Sequence, residues 1–273
     1  MSDGSGLADL HDTAGTAPVV PAVPPLPLDA VRLERVSKVY GHGADAVPAL
    51  DGVSLDVAAG EFVCLVGASG CGKSTLLNLI AGLDQPTTGR VQATGRVALM
   101  FQEAALFPWL TVQRNVELPM RLRGVPRAQR RDRAAHLLES VHLADFASKR
   151  PFELSGGMRQ RVAIARAFAQ DADILLMDEP FGALDAMTRD LLHDELEQLW
   201  RDRAFTVVFV THNVREAVRL GDRVVLLTSR PGKVAAQFTV EADRPRRIES
   251  PEVSSLAGDI TTHLREEVRR HAR

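Results

Sequence analysis

Two stretches, residues 172–178 (ADILLMD) and 205–212 (FTVVFVTH), restrict the possible folds more than anything else in the chain. Their apolar residues run on without the polar alternation of a strand that faces water on one side. Such strands must be covered on both faces, which places them inside a parallel sheet packed between helices. Between them, residues 190–202 (DLLHDELEQLWRD) carry amphipathic helical spacing. Strand, helix and strand in succession predict an α/β fold with a parallel core sheet.

The flanking text adds elements of other kinds. Residues 31–40 (VRLERVSKVY) alternate like a half-buried strand, and DGVSLDV and EFVCLVG read as two more. STLLNLIAGL has helical spacing and stops at Gly82, where a C-cap glycine is expected. Residues 110–149 turn mostly helical, with RAQRRDRAAHLLESVHL the clearest case. DRVVLLTSRPGKVAAQFTV gives two short strands about a Pro-Gly turn, and HLREEVRRHAR a charged terminal helix. Residues 1–28, ending in a proline-rich run, are too small and polar to offset the entropy of ordering and are expected to form a disordered tail. Residues 29–273 make up the folded domain.

Composition narrows the partners. With 273 residues, 45% of them hydrophobic, the chain can bury a large core. A formal charge of −2 offers no global field for nucleic acid, so no nucleic-acid partner is expected; an anionic membrane would need a local patch. RLRGVPRAQRRDR is such a concentration of arginine, read first as a solvated helix face. No apolar run approaches the roughly 18–20 residues needed to span a bilayer. The two cysteines, Cys64 and Cys71, are expected as free thiols in a reducing compartment.

Residues 67–74 (GASGCGKS) fit G-x-x-x-x-G-K-[ST] between an apolar strand and a helix, the context this pattern requires. Glycine weakens both elements, so its use here implies a need for bare backbone. Successive N–H groups can point into one concavity, the helix N-terminus adds partial positive charge, and a polyphosphate fits both. Gly67, Ala68, Ser69, Gly70, Cys71, Gly72, Lys73, Ser74 and Thr75 are therefore the candidate nucleotide cradle. Lys73 would reach the β- and γ-phosphates, and Ser74 would offer its hydroxyl to Mg²⁺. A helix N-terminus also lowers a thiol pKa, which marks Cys71 as a position that could be oxidation-sensitive.

Residues 174–180 (ILLMDEP) deliver Asp178 and Glu179 at the carboxyl end of a buried strand, the edge where open parallel sheets bind ligands. Asp178 is expected in the Mg²⁺ shell and Glu179 to polarise an attacking water. Residues 154–161 (LSGGMRQR) make a second helix start with exposed donors, in which Ser155, Gly156 and Gly157 could seek an anion. Taken alone, this tripeptide reads as the cap of a structural helix. One nucleotide does not need both starts from one subunit, and a two-fold, head-to-tail dimer would let each site combine the glycine loop of one copy with Ser155 of the other.

Together these motifs resemble the ATP-binding subunit of ABC transporters: Walker A (GASGCGKS), signature (LSGGMRQ) and Walker B (ILLMDE) occur in that family's order, and the resemblance runs from about residue 31 to the C-terminus. It implies an α/β P-loop NTPase core with a parallel sheet, an antiparallel β subdomain and a helical subdomain inserted at about residues 103–165, hydrolysing ATP with Mg²⁺. By the same resemblance Tyr40 stacks on adenine, Gln102 touches Mg²⁺ and links the core to the helical subdomain, Asp185 crosses the dimer interface, and His212 contacts the γ-phosphate and supports Glu179. Catalysis then falls to Glu179, His212 and Lys73, and metal binding to Ser74, Gln102 and Asp178. Residues 107–116 (FPWLTVQRNV) would face a transmembrane permease, with Phe107, Pro108 and Trp109 as an anchor if they are exposed.

The wording LFPWLTV, DEPFGALDAMTR, TSRPGKV and RPRRIESPEV is similar to importers of nitrate, aliphatic sulfonates and taurine. The implied protein is a peripheral subunit on the cytoplasmic face of the inner membrane, working with a permease and, indirectly, an extracytoplasmic solute-binding protein. The competing readings are a soluble ABC ATPase of iron–sulfur assembly or similar remodelling, and a regulator that binds nucleotide without hydrolysing it.

Overall fold

The computed structural model describes residues 29–271, so the proline-rich tail expected over residues 1–28 lies outside the described residues. The chain enters through two long antiparallel strands, β1 (Asp29–Tyr40) and β2 (Val47–Ala58), followed by β3 (Phe62–Val66) and helix α1 (Lys73–Ile80). Strands β4 (Thr88–Ala93) and β5 (Val97–Met100) precede helices α2 (Val112–Leu122), α3 (Arg127–Ser140) and α4 (Gly156–Phe168). Then come β6 (Ile174–Asp178), α5 (Ala186–Arg203), β7 (Thr206–Val210), α6 (Val214–Leu220), β8 (Arg223–Leu227), β9 (Val234–Thr239) and α7 (Pro251–His271).

Two sheets result. One has the order β2-β1-β4 and is antiparallel; the other has the order β5-β6-β7-β3-β8-β9 and is parallel except for β9 at its edge. The continuous apolar strands occupy the centre of the second sheet for the reason their sequence gives. Every residue of β3, β6 and β7 is buried, and successive side chains enter opposite cores. Phe62, Cys64 and Val66 join the core shared with α2, α3, α4 and α6, whereas Val63 and Leu65 join the core under α1 and the antiparallel sheet. Truncating one of these side chains, as in Leu176→Ala, costs about 2–5 kcal/mol because neither face can collapse around the gap.

Some elements differ from expectation. Strands β4 and β5 carry no sequence signal: TGRVQA is half polar at a sheet edge, and VALM is too short for a period to show. Helix α7 starts well ahead of the charged run at residue 263, because Val253, Ala257 and Ile260 form a buried stripe through otherwise polar text. Helix α3 closes at Ser140, three residues short of the sequence pattern.

Candidate functional site

Adjacent parallel strands β5, β6, β7 and β3 all end at the same edge, and each delivers a candidate residue at or just beyond its last strand position. β3 leads into the glycine loop, β6 into Asp178 and Glu179, β7 into His212, and β5 into Gln102. There Tyr40, Ser69, Gly70, Gly72, Lys73, Ser74, Thr75, Gln102, Asp178 and Glu179 line a cavity of about 370 Å³.

The loop is shaped by two glycines. Gly72 has φ +93°, and a Cβ there would lie 2.6 Å from Leu50 Cδ2; Gly70 has φ +76° and meets the Arg230 guanidinium at 2.8 Å from the same hypothetical atom. Lys73 is nearly buried, and its Nζ donates to the carbonyls of Gly67 (2.9 Å) and Ala68 (3.1 Å). The loop thus holds its own ammonium group in place at the entrance to α1. Cys71 Sγ lies 3.7 Å from that Nζ, yet burial pushes the thiol pKa up, with Lys73 only partly opposing. The lowered pKa expected from the helix N-terminus is therefore corrected: Cys71 is enclosed rather than activated. Both cysteines are free.

Asp178 sits deep, with its carboxyl pKa raised by burial while a hydrogen bond from Ser74 pulls it down. Glu179 follows in a left-handed conformation, φ +47°, although a residue before proline ordinarily stays extended. Backbone strain of this sort persists only where the surroundings impose it, and it clusters at functional sites. Here the Glu179 N–H donates to Val210 O at 3.0 Å, and the turn aims the carboxylate at two neighbours. Gln102 Nε2 donates to Glu179 Oε2 at 3.4 Å, and His212 Nδ1 lies 3.3 Å from the same oxygen. Three strand ends thereby meet on one carboxylate.

Tyr40 rims the cavity, half exposed; its hydroxyl donates to Asp84 Oδ2 at 3.0 Å, and Lys38 Nζ stands 4.9 Å from its ring centroid. Among the described residues no group of three or more His, Cys, Asp or Glu side chains could hold a metal ion by itself. The Ser74 hydroxyl, the Asp178 carboxylate and the Gln102 amide are a sparse set of hard oxygen donors. That suits Mg²⁺, which keeps most of its shell from water and substrate phosphate.

Ser155, Gly156, Gly157 and Asp185 do not join this cavity. Ser155 Oγ caps α4 by accepting from Met158 N at 3.2 Å, and Asp185 Oδ1 caps α5 by accepting from Thr188 N at 2.9 Å. The two caps are neighbours, since a Cβ on Gly157 would lie 3.3 Å from Leu184 Cδ2. Phe107 and Trp109 meet with ring centroids 5.5 Å apart in a tilted arrangement and remain exposed, Trp109 at 67%.

Arg230 was missed. It lines the cavity from the β8–β9 turn and donates from Nε to Gly70 O at 3.0 Å. The turn is pinned from its other side, where Gly232 N donates to Ala49 O (2.9 Å), Asp51 N to Gly232 O (3.0 Å), and Lys233 pairs with Asp51 (2.6 Å). The only sequence signal was the RPG turn, and no local pattern says that the turn docks on the glycine loop.

A glycine-rich phosphate cradle with a lysine and paired acids, at the carboxyl edge of a parallel sheet, defines a P-loop nucleoside triphosphatase. Comparison with known proteins narrows the class. Residues 50–182 match the family described as ABC transporter. The chain is 44% identical over 246 residues to an uncharacterized ABC transporter ATP-binding protein of Methanocaldococcus jannaschii, covering 87% of this chain and 92% of that one. It is 46% identical to a nitrate import ATP-binding protein of Synechocystis, covering 75% and 80% of the two chains, and 47% identical to an aliphatic sulfonates import ATP-binding protein of Burkholderia cenocepacia, covering 84% and 70%. It also superposes on a dimeric ATP-binding cassette in a post-hydrolysis state bound to ADP and Pi, with TM-score 0.72, 36% identity, and 78% and 100% coverage. The chain belongs to the ABC transporter family, as an ATP-binding, ATP-hydrolysing cassette.

Proposed function

We propose that this chain powers a membrane importer of a small anionic or zwitterionic solute, such as nitrate, an aliphatic sulfonate or taurine, by binding and hydrolysing MgATP between two copies of itself. The meeting of Gln102 and His212 on the Glu179 carboxylate, beside the Lys73 loop, carries this reading. Lys73 Nζ exchanges the carbonyls of Gly67 and Ala68 for the β- and γ-phosphate oxygens, a gain in charge that those dipoles do not match. The backbone N–H groups of residues 68–75 take the remaining phosphate oxygens, Tyr40 stacks on adenine, and Arg230 adds a second cation at the cavity wall. Ser74, Asp178 and Gln102 would hold Mg²⁺, which would supply neutralising charge to the phosphates. Glu179 accepts the proton of the attacking water, and His212 fixes that carboxylate and reaches the γ-phosphate.

Ser155, Gly156, Gly157 and Asp185 act from the second copy, arranged head to tail, which accounts for their position outside the cavity. The helices between β5 and β6, over about residues 103–165, form the subdomain that meets the permease through the exposed Phe107 and Trp109 pair. Among the described residues no helix is long and apolar enough to cross a membrane. In this reading the chain sits peripherally on the cytoplasmic face of the inner membrane, beside that permease. The solute-binding protein acts through the permease. Import-related names among the relatives favour this over soluble iron–sulfur remodelling. Reconstitution with the neighbouring permease tests it: ATP hydrolysis rising with nitrate, sulfonate or taurine supports the reading, and hydrolysis indifferent to every such solute defeats the import assignment.

A further inference from the structure

Helix α2 buries Val112, Asn115, Val116 and Met120, so its opposite stripe, with Arg114, Leu118 and Arg121, faces outward. Across from it the first turns of α3 bring Arg127, Arg130 and Arg131, and together they enclose a polar cavity of about 600 Å³. Five guanidinium groups there face a single lining carboxylate, Glu117, which is already paired with Arg130 at 3.3 Å. Among the described residues, Arg114, Arg121, Arg127 and Arg131 form no ion pair. Like charges one turn apart, as Arg127 and Arg131 are, disfavour the helix that carries them unless an anion sits between.

The stripe ends at Leu122, which is 77% exposed, the next turn after the half-buried Leu118. Guanidinium groups recognise phosphate oxygens in a bidentate fashion, and an exposed leucine beside them has no use for a free ion but fits the boundary between headgroup and acyl chain. The cavity also begins at Leu110 and Thr111, directly after the aromatic pair assigned to the permease, so a membrane lies near this face. That one step rests on the permease reading; the charge argument does not. We propose that the α2–α3 face binds the phosphate headgroups of an anionic bilayer, holding the cassette against the membrane although its net charge is −2.

The test uses the full chain, first without permease and then with it. Sedimentation with phosphatidylglycerol-containing vesicles should recover it, whereas pure phosphatidylcholine vesicles should not, and added salt should weaken recovery. The Arg121→Glu, Arg127→Glu, Arg131→Glu triple variant should lose partitioning by at least about fivefold per arginine, with ATP hydrolysis in solution and circular dichroism unchanged. Leu122→Ser should reduce partitioning without altering its salt dependence. Equal recovery on both vesicle types, or a triple variant that partitions like the parent, overturns the proposal. So does saturation of the arginines by inorganic phosphate with no vesicle recovery, which would make this a free-anion site. Recovery that appears only once the permease is present also overturns it, because the face would then be an acidic-protein contact. ATP hydrolysis that ignores every solute after reconstitution with a permease would instead defeat the import reading and leave the vesicle result standing.

Discussion

The loop over residues 67–75 and the loop over residues 154–157 both run through glycine into a helix, yet the protein treats them in opposite ways. The first is enclosed: Lys73 is pinned by Gly67 and Ala68, Arg230 bears on Gly70, and two acids stand across the cavity. The second is open. Ser155 and Gly156 are exposed, the Ser155 hydroxyl accepts only from Met158 N, and neither residue lines the cavity that holds Lys73, Asp178 and Glu179. The first loop is enclosed by its own chain, while the second is a capped helix start open to a neighbour. This difference is what a site divided between two copies of a chain requires.

The sharpest way to break the comparison is Glu179→Gln, which removes the proposed proton acceptor from the enclosed side alone. Phosphate release should fall about 10²–10⁴-fold while MgATP binding persists, and light scattering should show a stable dimer. A variant that stays monomeric in saturating MgATP would count against division of the site. Next in size, Lys73→Ala should weaken ATP binding by about 1.5–3 kcal/mol, read by calorimetry. Mixing that variant with Ser155→Arg offers a stricter trial, since only a mixed dimer contains one intact glycine loop facing one intact Ser155. Activity above either parent variant is expected, and its absence in a mixture shown to form mixed dimers would sink the division.

Smaller effects distinguish backbone from partner. Gly72→Ala should destabilise the chain by more than about 1 kcal/mol, because its positive φ and the approach of Leu50 leave no room. Gly156→Ala meets no atom closer than Arg159 Nη2 at 4.0 Å. It should leave thermal stability level or raise it by up to about 1 kcal/mol, while the proposed division of the site requires ATP hydrolysis to fall.

The two aspartates give the finest contrast. Asp178 has a raised pKa from burial, so its favourable contribution to folding is present below the unfolded carboxylate pKa and is lost as pH rises through the folded one. Asp178→Asn should therefore stabilise the empty protein at neutral pH, with the gain vanishing in acid. Asp185 has a pKa lowered chiefly by the Thr188 backbone N–H, so its contribution is present at neutral pH and is lost as pH falls through the depressed value. Asp185→Ala should therefore destabilise at neutral pH and converge on the parent in acid; melting curves across that range check both signs.

Much of this is legible in the sequence. The glycine loop, the Asp178–Glu179 pair and the capped Ser155 helix each depend on residues within a few positions of one another, and consecutive residues announce them. Arg230 shows where legibility ends. Its turn could be read, but its seat on Gly70 depends on β8 lying beside β3 and on Gly232 docking against Ala49. The enclosure of Cys71 reversed a sequence expectation for the same reason, because its surroundings come from distant segments such as Leu227 and Gly232.

The sequence by itself determined the local chemistry: which strands must be buried on both faces, where backbone donors lie bare, and which carboxylates follow a buried strand. Periodicity, caps and glycine loops are short-range properties written in adjacent residues. Only the tertiary structure decided that β5, β6, β7 and β3 end side by side, that Gln102 and His212 converge on Glu179, and that Ser155 lies outside their cavity. Those relations follow from the order of strands in the sheet, which is set by how two cores pack against its opposite faces and is carried by no single stretch of the chain.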